Sequence, residues 1–121
     1  MTKNDQIFVI LIILMILGLL SLMAFQGDNG KEKYSAKEWF DKGLELYWIG
    51  KYEESVKAFD EALKIEPNNY DTWMQKGWAL HGLGEYKDAL EAFNQSLKIM
   101  PDYAYATYGR DASLRNLSKN E

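Results

Sequence analysis

The chain repeats itself with a period of 34 residues: segment 36–69 recurs, in looser form, over 70–103. Repetition at a fixed period of this size indicates an architecture in which each unit buries its apolar face against the next unit. Aligning the two copies at this offset leaves twelve identical pairs. They are Trp39/Trp73, Lys42/Lys76, Gly43/Gly77, Leu46/Leu80, Gly50/Gly84, Tyr52/Tyr86, Ala58/Ala92, Phe59/Phe93, Leu63/Leu97, Lys64/Lys98, Ile65/Ile99 and Pro67/Pro101.

The order of the identical residues is itself informative. Each copy has a tryptophan, then a glycine, then an aromatic residue, then Ala-Phe, and finally a proline. This spacing resembles the tetratricopeptide repeat, whose unit is a pair of antiparallel helices. The resemblance implies an all-α fold of helix-turn-helix repeats, about five helices of a right-handed α-solenoid fragment, and a module that binds other proteins.

Local signals predict the helix boundaries of the first copy. Ser35, three residues before Glu38, has the capping-box spacing and predicts a helix start. The helix is expected to run to about Trp48 and to end at Gly50, where a left-handed backbone costs little. A second helix is predicted over 52–65, and the following proline prevents its continuation.

The second copy predicts the same plan, with Asn68 or Asn69 as the cap, Gly84 at the turn and a helix over 86–99. One further helix is predicted from Asp102, as its cap, to about Leu117. It has no second helix to pair with, which is typical of a terminal capping helix.

These boundaries predict a repeat domain over 34–121. Its parts are a first repeat (36–69), a second repeat (70–103) and a capping helix (104–118). Two repeats fall below the roughly three units that usually make a stable array. A second copy of the chain is therefore a possible completing partner, which would make the protein a homo-oligomer.

The amino-terminal part has a different composition. Residues 7–25 are uncharged and almost entirely apolar. In a helix they would span roughly 28 Å, close to the thickness of a bilayer core. We therefore predict a transmembrane helix over 7–25, between a short tail (1–6) and a flexible tether (26–33), and a single-pass membrane localisation. The side of the membrane stays open, because few lysines flank the run. A cleaved signal peptide is the alternative, although its apolar stretch should be shorter and end in a small-x-small site.

The sequence offers little chemistry for catalysis. It has one histidine, no cysteine, no glycine-rich phosphate loop and no motif with metal-ligand spacing. We expect no enzyme activity, no metal and no cofactor. The net charge of −4 without a basic cluster argues against a nucleic-acid partner.

The resemblance also implies a binding surface. In the family, positions two, five, nine, twelve and thirteen of each first helix line a concave face. Members that bind chaperone tails clamp a carboxylate with Lys and Asn at positions five and nine, where this chain has Phe40 and Leu44. Chaperone-tail binding is therefore not expected. The resemblance instead implies an aromatic groove, with partner-binding residues Phe40, Leu44, Tyr47, Trp48, Met74, Trp78, His81, Tyr105 and Tyr108.

We expect an adaptor or assembly factor that binds a peptide or helical segment of another protein in this groove. A structural scaffold that associates with itself is the alternative. Two other uses of the rings stay open: the capping helix, or Tyr34 with the tether, covers some of them, or they face a nearby bilayer.

Overall fold

The computed structural model describes residues 2–28 and 33–120, with side chains over 2–19 and 33–120. The described residues fold entirely into α-helices and turns, without a strand. The chain divides into two compact units, Met1–Lys33 and Tyr34–Glu121. The helices are α1 (Lys3–Asp28), α2 (Ala36–Trp48), α3 (Tyr52–Ile65), α4 (Tyr70–Gly82), α5 (Tyr86–Ile99) and α6 (Ala104–Lys119).

The first unit corrects the membrane prediction. Among the residues that the structure describes, no helix is both long enough and apolar enough to cross a membrane. The described side chains of α1 end at Leu19, and the apolar run within them, 7–19, is only roughly 20 Å long. A bilayer core is about 30 Å thick. The predicted transmembrane helix over 7–25 and the single-pass membrane localisation are therefore contradicted. Side chains 20–25, and residues 29–32 of the predicted tether, lie outside the described residues.

Within the second unit, the predicted helix starts are confirmed by hydrogen bonds. The backbone N–H of Glu38 donates to Ser35 Oγ at 3.2 Å, and the N–H of Ser35 donates to Glu38 Oε2 at 2.7 Å. At the start of α4, Asn69 Oδ1 accepts from the N–H of Thr72 at 3.0 Å. Both helices thus satisfy donors that would otherwise lack partners.

The turns inside the two helix pairs also follow the prediction. Gly50 has a φ of 80° and Gly84 a φ of 78°, and they are the positive-φ glycines of the described chain. Only glycine adopts this left-handed backbone without strain. The chain therefore reverses at the same place in both copies.

Helix α6 begins differently from its prediction. Its N-cap is Tyr103, without a side-chain capping bond, and Asp102 does not occupy that position. The carbonyl oxygen of Tyr103 accepts from the N–H groups of Ala106 and Thr107, each at 3.1 Å. The helix then continues to Lys119, two residues beyond the predicted Leu117.

The helices pack in two layers. Helices α2, α4 and α6 contact one another in that order, whereas α3 packs between α2 and α4, and α5 between α4 and α6. The centre of each pair is a fully buried phenylalanine, Phe59 in α3 and Phe93 in α5. A Cβ on Gly43 would lie 2.5 Å from Cε1 of Phe59, so this glycine lets α3 approach α2 closely. Gly77 has the same relation to Phe93, at 2.7 Å.

The stack ends at α6 for a visible reason. Asp111 stands 34 residues after Gly77, at the position where a following helix would bring its phenylalanine against a glycine. Asp111 instead accepts a hydrogen bond from Arg110 Nε at 3.1 Å. The open side of α6 is thus polar where α2 and α4 are shaped to receive a second helix.

Candidate functional site

The nine residues predicted to bind a partner all belong to the layer of α2, α4 and α6. We call this set the aromatic row. Three of its members are largely exposed: Trp48 (79 %), Tyr105 (68 %) and Tyr108 (63 %). Met74 is only 5 % exposed and belongs to the core. The remaining five members are half-buried, and they are Phe40, Leu44, Tyr47, Trp78 and His81.

At the carboxyl end of α2, Trp48 projects from a small cluster of rings. The Tyr47 ring lies edge-on to Trp48, with centroids 5.5 Å apart, and 5.3 Å from the ring of Tyr52. Burial raises the pKa of Tyr47. A Cβ on Gly82 would lie 2.9 Å from the Tyr52 ring, so Tyr52 is held against α4. Trp48 therefore stands on a packed base while its own surface stays in water.

At the centre of the row, Trp78 is held by rings on three sides. Its centroid lies 5.3 Å from that of Phe93, 5.4 Å from His81 and 5.8 Å from Tyr108. Edge and tilted contacts at these separations are the favourable arrangements of aromatic pairs. The exposed ring of Tyr108 thus rests on the half-buried ring of Trp78, which rests on the core.

His81 links α4 to the two helices that follow it. Its ring lies 5.0 Å from that of Tyr86 in α5, and its Nε2 lies 3.2 Å from Asn116 Nδ2 in α6. Burial lowers the pKa of His81, which favours the neutral ring. With Nε2 unprotonated, the Asn116 amide donates to it. Its contacts make His81 a packing residue of the row.

At the amino end of the row, α2 and α4 border an open cleft of about 620 Å³. The ring of Phe40 lines it, packed 5.8 Å from that of the buried Phe59. The carboxylates of Glu66 and Asp71, and the ring of Tyr70, also line the cleft. The predicted row thus leads into a cavity that the sequence did not indicate.

Tyr103 connects this cleft to α6. Its hydroxyl donates to Asp71 Oδ1 at 2.9 Å, and burial, followed by this bond, raises its pKa well above the ordinary value. Its ring lies 5.0 Å from that of Tyr70 and 5.8 Å from that of Tyr105. The three tyrosines therefore form a continuous wall from the cleft to the exposed Tyr105.

Sequence reasoning missed Tyr103, Tyr70, Glu66 and Asn116 as parts of this site. One signal was available for Tyr103: the 34-residue offset aligns it with Ser35 and Asn69, which both cap helices. A tyrosine at a capping position is unusual. The other three carry no comparable signal, because their relevance comes from contacts between helices.

No metal site accompanies these features in the part of the chain that the structure describes. No group of three or more His, Cys, Asp or Glu side chains there is arranged to hold an ion. The chemistry of the site consists of rings, hydrogen bonds and a few charges.

Comparison with known proteins supports the repeat architecture. The sequence pattern of the tetratricopeptide repeat family matches residues 40–104, more than half of the 121-residue chain. The chain belongs to the tetratricopeptide repeat family. Tetratricopeptide repeats are protein–protein interaction modules, and the second unit has the layered helix pairs of this family. A search of curated proteins gives no match.

Several solved structures share the tetratricopeptide fold. The second tetratricopeptide domain of Spaghetti (RPAP3), bound to the HSP90 peptide SRMEEVD, superposes with a TM-score of 0.68 at 21 % identity, over 72 % of this chain and 81 % of that one. MamA 41-end from Desulfovibrio magneticus RS-1 gives 0.66 at 28 % identity, over 69 % of this chain and 48 % of its own. The TPR2AB domain of yeast Sti1, in a pHSP90 complex, gives 0.68 at 18 % identity, over 82 % and 38 %. This chain thus spans less than half of the last two.

Proposed function

We propose that the chain is an adaptor or assembly factor that binds a peptide or helical segment of another protein along the aromatic row. In this proposal the segments 36–69 and 70–103 act as two repeats, and 104–118 acts as the cap. The observation that carries the proposal is the exposure of Trp48, Tyr105 and Tyr108 on one layer. Exposed aromatic surface on a small domain usually marks an interface.

The packing beneath these rings supports the same conclusion. Trp48 stands on Tyr47, and Tyr108 stands on Trp78, so their positions are set before a ligand arrives. A rigid aromatic side chain loses little conformational entropy on binding, and such residues dominate measured binding energies. Support also comes from Spaghetti, whose tetratricopeptide domain is bound to a peptide. The carboxylate clamp is replaced here by Phe40 and Leu44, so we expect a different peptide chemistry.

The proposal is tested by selecting ligands from a random peptide library displayed on phage, with the full chain as the target. Trp48→Ala and Tyr108→Ala should each weaken the selected peptides by about 30-fold, as expected for an aromatic residue at the centre of an interface. Binding is measured by titrating each variant with the synthetic peptides.

The matched controls are Ile65→Ala and Met100→Ala. They also shorten exposed apolar side chains, 51 % and 39 % exposed, but lie outside the layer of α2, α4 and α6. They should leave the affinity unchanged. Selected peptides that bind equally to the row variants and to wild type would contradict the proposal.

Self-association stays a separate prediction. The end of the repeat stack gives it little support, because Asp111 and Arg110 make that side of α6 polar. A second chain would instead have to use the exposed rings of the row. Light scattering on the full chain tests this: a dimer that Tyr108→Ala dissociates would favour a scaffold over a peptide-binding adaptor.

A further inference from the structure

The cleft between α2, α3 and α4 contains two carboxylates that lack a cationic partner. Glu66 and Asp71 both line it, and neither forms an ion pair with any residue that the structure describes. The one cation of the cleft, Lys37, is already paired with Asp41, Nζ to Oδ2 at 2.5 Å. The cleft therefore has an excess of negative charge.

The position of Asp71 is set by its neighbours. Tyr103 donates to its Oδ1, and the raised pKa of Tyr103 keeps that hydroxyl protonated as a donor. The other oxygen, Oδ2, has no hydrogen bond among the described residues. Asp71 is half-buried, where a charge is screened less than on an open surface. A held carboxylate with a free oxygen is suited to accept a hydrogen bond from a ligand.

The walls of the cleft favour the same kind of ligand. The rings of Phe40 and Tyr70 line it, and Tyr70 leads through Tyr103 to Tyr105 of the aromatic row. Aromatic faces attract cations, and they also accommodate the methylene stem of a long basic side chain. A volume of about 620 Å³ leaves ample room for such a side chain.

We propose that this cleft binds a lysine or arginine side chain of the segment held along the aromatic row, so that the partner segment is basic. This inference rests on the proposed function, because it assigns the charge of the peptide. The charge of the cleft is the reverse of a clamp that binds a carboxylate. It therefore assigns the protein to a class of ligand opposite in charge to the acidic peptide SRMEEVD.

The phage-displayed random library again supplies the probe. Peptides selected on the full wild-type chain should be enriched in lysine and arginine. The double variant Glu66→Gln with Asp71→Asn should lose this enrichment and bind the wild-type-selected peptides about fivefold to tenfold more weakly. The amide oxygen introduced by Asp71→Asn still accepts from the Tyr103 hydroxyl, and Glu66→Gln alone, at an exposed position, provides a second variant that leaves the packing intact.

The matched control is Asp88→Asn with Glu91→Gln, which changes the net charge equally at exposed positions of α5. It should preserve both the enrichment and the affinity. Added salt should weaken the basic peptides on wild type more than on the cleft variant.

The outcomes separate the two proposals. If the selected peptides depend on Trp48 and Tyr108 but are not basic, or if the control weakens them as much as the cleft variant, the charge inference is overturned and the proposed function stands. If they are basic but independent of Trp48 and Tyr108, the proposed function is overturned and the inference, which rests on it, is also overturned.

Discussion

The first helix pair, α2 with α3, and the second, α4 with α5, are nearly the same structure with different surfaces. Their helices have equal lengths, and each pair turns at a left-handed glycine and buries one phenylalanine completely. On the layer of first helices they differ. Trp48 of the first pair is 79 % exposed, whereas Trp78 of the second is covered by Tyr108, His81 and Phe93.

The difference teaches that the repeat signal and the binding surface have separate physical origins. The identical residues, such as Gly43 and Gly77, act inside a helix pair and determine how its two helices approach. Exposure on the row depends on what packs beside each helix. Helix α6 covers Trp78 of α4, and the ring of Trp48, at the carboxyl end of α2, has no such cover. Two similar repeats thus supply one structural ring and one available ring.

The largest expected effect distinguishes these two tryptophans. Trp78→Ala should lower the free energy of unfolding by about 2–4 kcal/mol, because it leaves a cavity against the buried Phe93. Trp48→Ala should change it by no more than about 0.5 kcal/mol, as expected for an exposed residue. Denaturant unfolding of the full chain measures both. Equal losses of stability would show that the two rings are not different in kind.

A smaller effect is expected from the glycines around Phe93. This phenylalanine faces Gly77 and also Gly109 of α6, whereas glycine contacts to Phe59 come from Gly43 alone. Gly109→Ala should cost about 1–3 kcal/mol, because its Cβ would lie 2.3 Å from the Phe93 ring.

The control for this variant is Gly84→Ala, whose Cβ meets nothing within 4 Å. It should cost only the strain of its positive φ, about 1–2 kcal/mol. Thermal melts of the two variants give the comparison. A Gly109 variant as stable as wild type would mean that α6 does not hold Phe93 in the way described.

The smallest effect concerns pH and again belongs to the second pair, since its His81 stands where the first pair has Tyr47. Burial lowers the pKa of His81 below its ordinary value of 6.5, so the folded state favours the neutral ring. The resulting stabilisation is complete above pH 6.5 and is lost as the pH falls through the lower pKa of the folded state.

His81→Gln should remove this dependence while retaining a polar partner for Asn116. The chain has no other histidine, so the difference between the two curves of stability against pH reports His81 alone. Superimposable curves below pH 6.5 would contradict the assigned direction of the shift.

Most of the helix boundaries could be predicted from the sequence because their causes are local. The box of Ser35 with Glu38, the cap at Asn69 and the left-handed Gly50 and Gly84 each act within a few residues. The start of α6 was harder to predict. Tyr103 takes the capping position with its side chain directed to Asp71, a residue of another helix.

The site was predicted less completely, because burial on the row is decided between helices. The resemblance to a known family placed Met74 and Trp48 on one face, yet Met74 is core and Trp48 is open. The cleft beside Phe40 combines α2, α3 and α4, and its carboxylates have no pattern in the sequence. The membrane prediction came from the composition of 7–25 alone and is contradicted.

The four tryptophans of the chain provide the most direct test of the aromatic row as the binding surface. Trp48 and Trp78 belong to the row. Trp39 packs against Tyr34, and Trp73 donates its indole N–H to the carbonyl oxygen of Pro67 at 2.8 Å. NMR resolves the indole N–H signals of the labelled full chain during titration with a peptide selected on wild type. The account predicts that the signals of Trp48 and Trp78 shift while those of Trp39 and Trp73 stay in place. Shifts confined to Trp39 and Trp73 would contradict it.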